Sequence, residues 1–387
     1  MPLKPLRIHE ILKAKRDDFT AFDKKTLGYL QKYRAALGDL AQEPPNAFQP
    51  VDDPEDYGAF PLEPLTKADH GVIAANLSWT SRAQSLDWVR DRLTGIHTFA
   101  VDGSQIYPGK DLSIPVALVQ IGWFENPHLP SGDYEKDIDL DVMTPGDLAV
   151  SSSGEPADRR VNFRRFEMEV QRLIQYIKAH GDRQDCLVFF DGSLVGTFAR
   201  MFDSALQKEY VDCFVALLQA SQSCRVPLVG YVDTTYARDL TVMLQHQYDL
   251  PPCRAIHDAQ LLHKYMSWGD RSALMQCLRS GILQAYGDQH NQVAFTYLKT
   301  TREGYPARLE MPLWVHEAGL TNRILDWVRG EVIIGGGYPY VLETADQTAV
   351  LQAEDRQAFF RILQEWTEEE HLNLRFSRKM VSKTRRR

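Results

Sequence analysis

Two stretches of the chain, TFAVDGSQ (Thr98–Gln105) and VFFDGSL (Val188–Leu194), climb through apolar residues and then deliver Asp-Gly-Ser. A single Asp-Gly pair is a common turn signal and by itself says little about chemistry. Two copies, each closing a strand-like run, say more. Strands of one sheet that release Asp102 and Asp191 at their carboxyl ends place two acids in the crevice where open α/β sheets bind ligands.

Further acids can join them. The segment NFRRFEMEVQRLIQYIKAH (Asn162–His180) keeps helical spacing, with Phe163, Phe166, Val170, Leu173, Ile174 and Ile177 on one face. Glu167 borders that face, and Glu169 sits beside Arg165 and Arg172; Glu167 is the one expected to point inward and Glu169 the one expected to be solvated. In TADQ, Thr344 reads as an N-cap with Gln347 completing a capping box, which puts Asp346 in the first turn of a helix. There it either complements the helix dipole or meets the other acids. Carboxylates gathered in one crevice repel one another unless a cation neutralises them. An all-oxygen set selects hard ions, Mg²⁺ or Mn²⁺, and a pair of such ions roughly 3.5 to 4 Å apart serves phosphodiester cleavage. Asp233, ending LVGYVD, is an outer candidate; in IHDAQLLHK, Asp258 reads as a helix N-cap rather than as half of a metal pair with His257.

Other chemistries find no support. IIGGGYPY lacks the lysine and spacing of a phosphate-cradling loop, RIHEILK has Lys13 where a zinc helix needs its second histidine, and neither Ser104 nor Ser193 stands in G-x-S-x-G. The five cysteines form no CxxC pair and read as reduced thiols. The net charge of −8 argues against a generally basic coat, which leaves RFSRKMVSKTRRR (Arg375–Arg387) as the basic cluster, either a solvated tail or a phosphate contact. No apolar run reaches the roughly 20 residues that span a bilayer, and the N-terminal stretch lacks a signal-peptide core, so a cytoplasmic protein is expected.

The elements that must position these acids alternate. HTFAVDGSQ and SIPVALVQIGWF read as neighbouring strands; helix, strand CLVFF, a second helix KEYVDCFVALLQASQSC and strand VPLVGYV follow. That order implies an α/β sheet with covering helices. Residues 1–95 read as two N-terminal helices followed by an acidic, Pro-rich linker, 96–366 as the α/β domain, ending in one long helix from Glu343, and 367–387 as a basic tail.

Both DGS motifs together with GGYPYVLETADQTAV, GDRSALMQC and ARLEMPLWV resemble the NurA nuclease family across about residues 96 to 360. The resemblance implies an RNase H-like mixed sheet flanked by helices and a Mn²⁺- or Mg²⁺-dependent DNA nuclease, exonuclease or single-strand endonuclease, of DNA-end resection and double-strand break repair. It also implies a homodimer that works beside a hexameric HerA-like ATPase. Asp102, Asp191 and Glu167 match the family's metal ligands, and Tyr338 matches a tyrosine near the active site. Where the family commonly has a histidine this chain has Asp346, a carboxylate suited to a hard metal. Arg308 and Glu310 of ARLEMP resemble a family motif, Arg308 as a phosphate contact or the two as a structural bridge. Tyr338 and Tyr340 could stack a base or simply pack. The rival readings are an RNase H-like adaptor without catalysis and a phosphoryl-transfer enzyme acting on RNA.

Overall fold

The computed structural model describes residues 3–40, 42–43, 57–65, 70–109, 112–149, 157–373 and 375. The acidic, Pro-rich stretch up to residue 56 and the basic tail beyond Arg375 lie outside them. The helices are α1 (Pro5–Ala14), α2 (Arg16–Leu40), α3 (Arg82–Leu93), α4 (Ala157–Ala179), α5 (Ser204–Cys224), α6 (Asp239–Gln247), α7 (Asp258–Leu262), α8 (Leu313–Glu317), α9 (Thr321–Ile334), α10 (Tyr340–Ala349) and α11 (Ala353–Glu369). The strands are β1 (Gly58–Pro61), β2 (Val72–Ile73), β3 (His97–Ile106), β4 (Ala117–Asn126), β5 (Glu135–Met143), β6 (Cys186–Asp191), β7 (Leu228–Val232), β8 (Arg271–Ser272), β9 (Met275–Leu278), β10 (Val293–Leu298) and β11 (Ala307–Pro312).

The chain divides into two compact units. One comprises Met1–Leu77, Asp233–Gly281 and Ala294–Leu309; the other Ser78–Val232, Ile282–Val293 and Glu310–Arg387. In the first, β9 pairs antiparallel with β1 and with β10, and β8 with β2. Helix α1 buries none of its residues, whereas α2 buries Leu30, Tyr33, Ala36, Leu37 and Leu40 in its second half. Apolar residues at helical spacing there, and their burial, anchor the N-terminal helices to this unit.

The second unit carries the mixed sheet, in the order β7-β6-β3-β4-β5. Strands β3, β4 and β5 form an antiparallel meander, while β6 and β7 run parallel to β3. This is an RNase H-like arrangement, as expected. Cys186 through Phe190 of β6 are all buried, as a strand covered on both faces requires. Helices α4 and α5 pack on each other, α4 also on β3 and β4, and α10 on the same two strands. Asp203 caps α5 by accepting from the backbone N–H groups of Ala205 and Leu206. The long helix expected from Glu343 is two helices: α10 ends at Ala349, and Gln352 with Asp355 forms a capping box that starts α11.

Candidate functional site

Strands β3 and β6 run in parallel register with Val101 beside Phe190, so Asp102 and Asp191 occupy the next position on each strand. Asp191 is the last residue of β6. Asp102 is not the end of β3, which continues to Ile106 because β4 pairs with it as far as Leu118. The two glycines that follow therefore differ in purpose. Gly192 turns the chain away with φ 134°, a conformation L side chains rarely adopt. Gly103 stays in the strand, and a Cβ there would meet Glu169 Oε1 at 2.4 Å and Arg165 Cγ at 2.7 Å.

That close approach corrects the reading of α4. Glu169 is buried (8 % exposed) and faces the aspartates. Glu167 is held 2.7 Å from Arg164, which also reaches Asp141 of β5 at 2.7 Å. The buried face of α4 contains Phe166, Glu169, Leu173 and Tyr176, and the turn from Phe166 to Leu173 carries Glu169 inward.

Asp102 is pushed up to about 6 by burial, by a hydrogen bond shared with the side chain of Asp346 and by the charge of Asp191, against a hydrogen bond from the Gly103 N–H. Burial pushes Glu169 up to about 8, with Asp102 and Asp191 adding to the rise and Arg165 opposing it. Asp102 thus feels Asp191 and Asp346, and Glu169 feels Asp102 and Asp191. Arg165 forms an ion pair with Glu169 through Nη1, and the same nitrogen is 4.0 Å from Asp102 Oδ1. Among the described residues no three His, Cys, Asp or Glu side chains are gathered tightly enough to hold an ion as they stand.

Asp346 reaches the site from the other end of its helix than expected. Helix α10 starts after Pro339, and Thr344 is no cap: its hydroxyl donates to Tyr340 O one turn back. Asp346 therefore lies in the closing turn, where the helix dipole disfavours an anion. The end of α10 is fixed on the sheet by Ala349 O, which accepts from Ser104 Oγ at 2.5 Å and Gln120 Nε2 at 3.0 Å. Its start is fixed by Glu331, fully buried, which accepts from the Val341 N–H at 2.9 Å and from Thr98 Oγ1 at 2.7 Å.

Tyr338 donates to Asp191 Oδ2 at 3.2 Å and stands edge-on to the ring of Tyr231 at 5.2 Å. Tyr340 packs edge-on against Phe124. Glu310, beyond the reach of local pattern reading, holds the second DGS loop by accepting from Ser193 Oγ at 2.8 Å and Leu194 N at 2.6 Å.

Arg308 is not available to a phosphate. It is 1 % exposed, lies 2.8 Å from Asp239, stacks over Phe295 at 3.8 Å and donates to Tyr297 Oη. Arg279 pairs with the same Asp239, and the two guanidiniums overcome burial to hold its carboxyl below the usual range. Asp258 does not cap its helix; His257 does, while Asp258 is buried accepting from Leu240 N, Thr241 N and Tyr297 Oη. Asp233, in the first unit, is exposed and accepts from its neighbour Thr234.

The second unit thus combines a mixed sheet of RNase H-like order with a carboxylate cluster beside its central strand. Residues 97–351 match the NurA domain, and the chain belongs to that family. Among solved structures it is similar to a crystal structure of NurA (11 % identity over 72 % of this chain and 94 % of that one, TM-score 0.42), to NurA with manganese (10 %, 75 % and 94 %, 0.38) and to NurA bound to dAMP and manganese (10 %, 71 % and 91 %, 0.35). No curated protein matches it. No helix among the described residues is long and apolar enough to cross a membrane.

Proposed function

We propose that the chain is a metal-dependent DNA nuclease whose metal, Mn²⁺ or Mg²⁺ and two ions in number, is held by Asp102, Glu169, Asp191 and Asp346. The observation that carries this reading is the Asp102 carboxyl, half-buried, hydrogen-bonded to Asp346 and pushed up by burial and by the charges of Asp191 and Asp346. Like charges held together at that cost are what a hard cation relieves, and every donor is oxygen. When bound, such ions activate water and stabilise the leaving oxygen of a phosphodiester. The protein's own part is to aim the donors: Tyr338 orients Asp191, Glu310 fixes the loop that follows it, and Ser104 with Gln120 anchors the end of α10.

Glu167, paired with Arg164, stands outside this set. Family membership supports DNA as substrate, with a homodimer and a HerA-like ATPase as partners in DNA-end resection; an acidic chain suits a translocase that supplies much of the grip on phosphates. The test is cleavage of end-labelled duplex and single-stranded DNA with Mn²⁺ and with excess EDTA. Activity is expected with the metal and not without it; cleavage that persists in EDTA or in Asp102→Asn overturns the reading.

A further inference from the structure

The carboxylate cluster already contains a cation. A single nitrogen of Arg165, Nη1, pairs with Glu169 Oε1 and lies 4.0 Å from Asp102 Oδ1, so one guanidinium edge faces both a helix acid and a strand acid of the site. The fold makes room for it deliberately at Gly103, where any side chain would collide with Glu169 Oε1 and with the Cγ and Cδ of Arg165. Helix α4 sorts its consecutive arginines: Arg164 serves Asp141 and Glu167, and Arg165 serves the inner acids. The Nε–H of Arg165 is buried with no acceptor among the described residues, so the guanidinium is only partly satisfied where it sits.

We propose that Arg165 is the resident counter-cation of the metal site, which a divalent ion must displace, so that metal loading and release of the guanidinium are one exchange. The inference rests on the metal-site reading above. Its physical basis is that an ion held between Asp102 and Glu169 takes the space beside Glu169 Oε1 where Nη1 now sits, and that a guanidinium so close to a divalent ion is repelled. Arg165 thereby keeps the acids from pushing apart before metal arrives, and sets a threshold on metal affinity. The freed guanidinium, with five donors in a planar fork, is then open to a phosphate oxygen.

The test is calorimetric titration of Mn²⁺ alone into the full chain at about pH 8, where Asp102 is ionised and Glu169 about half so, run in two buffers of different ionisation enthalpy so that proton release is counted. Arg165→Gln and Arg165→Met, the latter keeping an aliphatic stem over Gly103, are expected to bind Mn²⁺ about tenfold more tightly than wild type, the size of one charge-assisted hydrogen-bonded pair. Arg165→Lys keeps the charge and stays within about threefold of wild type. Melting followed by circular dichroism verifies that each variant is folded. In the wild-type chain, the ¹⁵N-labelled Nε–H of Arg165 is expected to shift on Mg²⁺ titration, a readout that needs no variant. Equal or weaker Mn²⁺ binding by the folded Gln and Met variants overturns the exchange, as does an Nε–H resonance unmoved at Mg²⁺ saturation. If Asp102→Asn titrates Mn²⁺ as wild type does, the metal-site reading itself fails and the exchange with it.

Discussion

Asp102→Asn is expected to abolish cleavage while making the metal-free protein more stable at pH 7. The rise of the Asp102 carboxyl from 3.8 to about 6 is a penalty on its ionised form of about 3 kcal/mol, at 1.36 kcal/mol per pKa unit. The side chain is 21 % exposed and Arg165 stands nearby, so solvent screening reduces the expected gain to about 1–3 kcal/mol. Asparagine reproduces the protonated acid, because its amide can still donate to Asp346. The sign follows from linkage. A folded value above the unfolded one favours the native state fully below about pH 4 and loses that contribution as pH climbs through about 6. Wild type and variant should thus melt alike in urea near pH 4 and diverge by pH 7, the variant more stable, with EDTA present throughout. Saturating Mn²⁺ should erase or reverse the gap, since only wild type binds it well. A variant that is less stable at pH 7, or equally displaced at both pH values, refutes the account of Asp102 as a strained member of a like-charge cluster.

Three further outcomes follow from the geometry. Glu169→Gln should lower Mn²⁺-dependent cleavage about 100-fold or more, while Glu167→Gln, which loses only a part-exposed pair with Arg164, should change it less than about threefold in initial-rate assays. Tyr338→Phe removes the donor to Asp191 and should cost about tenfold in kcat with a melting temperature nearly unchanged. Arg308→Ala leaves Asp239 paired with Arg279 alone and should cost about 1–3 kcal/mol in urea melts, with no change in the salt dependence of DNA binding beyond that of the folded fraction.

Much of the sheet was legible because its strands obey local rules. The apolar runs before Asp102 and Asp191 and the alternation in β4 announce β3, β4, β6 and β7. Strand β5 was open to the same reading, since Ile138, Leu140 and Val142 alternate with Asp137, Asp139 and Asp141. Glu169 is hidden from a purely apolar stripe because Tyr176, amphipathic in type but buried here, shifts the inner face of α4 toward it. At α10 the capping-box pattern of TADQ competed with Pro339, and proline, unable to continue a helix backwards, set the true start. Arg308 lay beyond any local rule: its burial depends on Asp239 and Phe295, remote in sequence from a strand that reads the same whether its arginine is buried or wet.

The site is assembled by two helices that approach one pair of strands through two absent side chains. Gly103 of β3 admits the Arg165–Glu169 pair of α4. Gly122 of β4, opposite Asp102 in register, admits the end of α10, where a Cβ would come within 2.6 Å of Ala349 N. Neither glycine has a positive φ, so what each supplies is clearance rather than backbone freedom. Clearance on one strand brings a helix acid beside Asp102; clearance on its neighbour brings Asp346 within hydrogen-bonding distance of the same carboxyl. The chain thereby builds its charge cluster from acids on two helices and two strands, each helix seated where the strand beneath it carries no side chain.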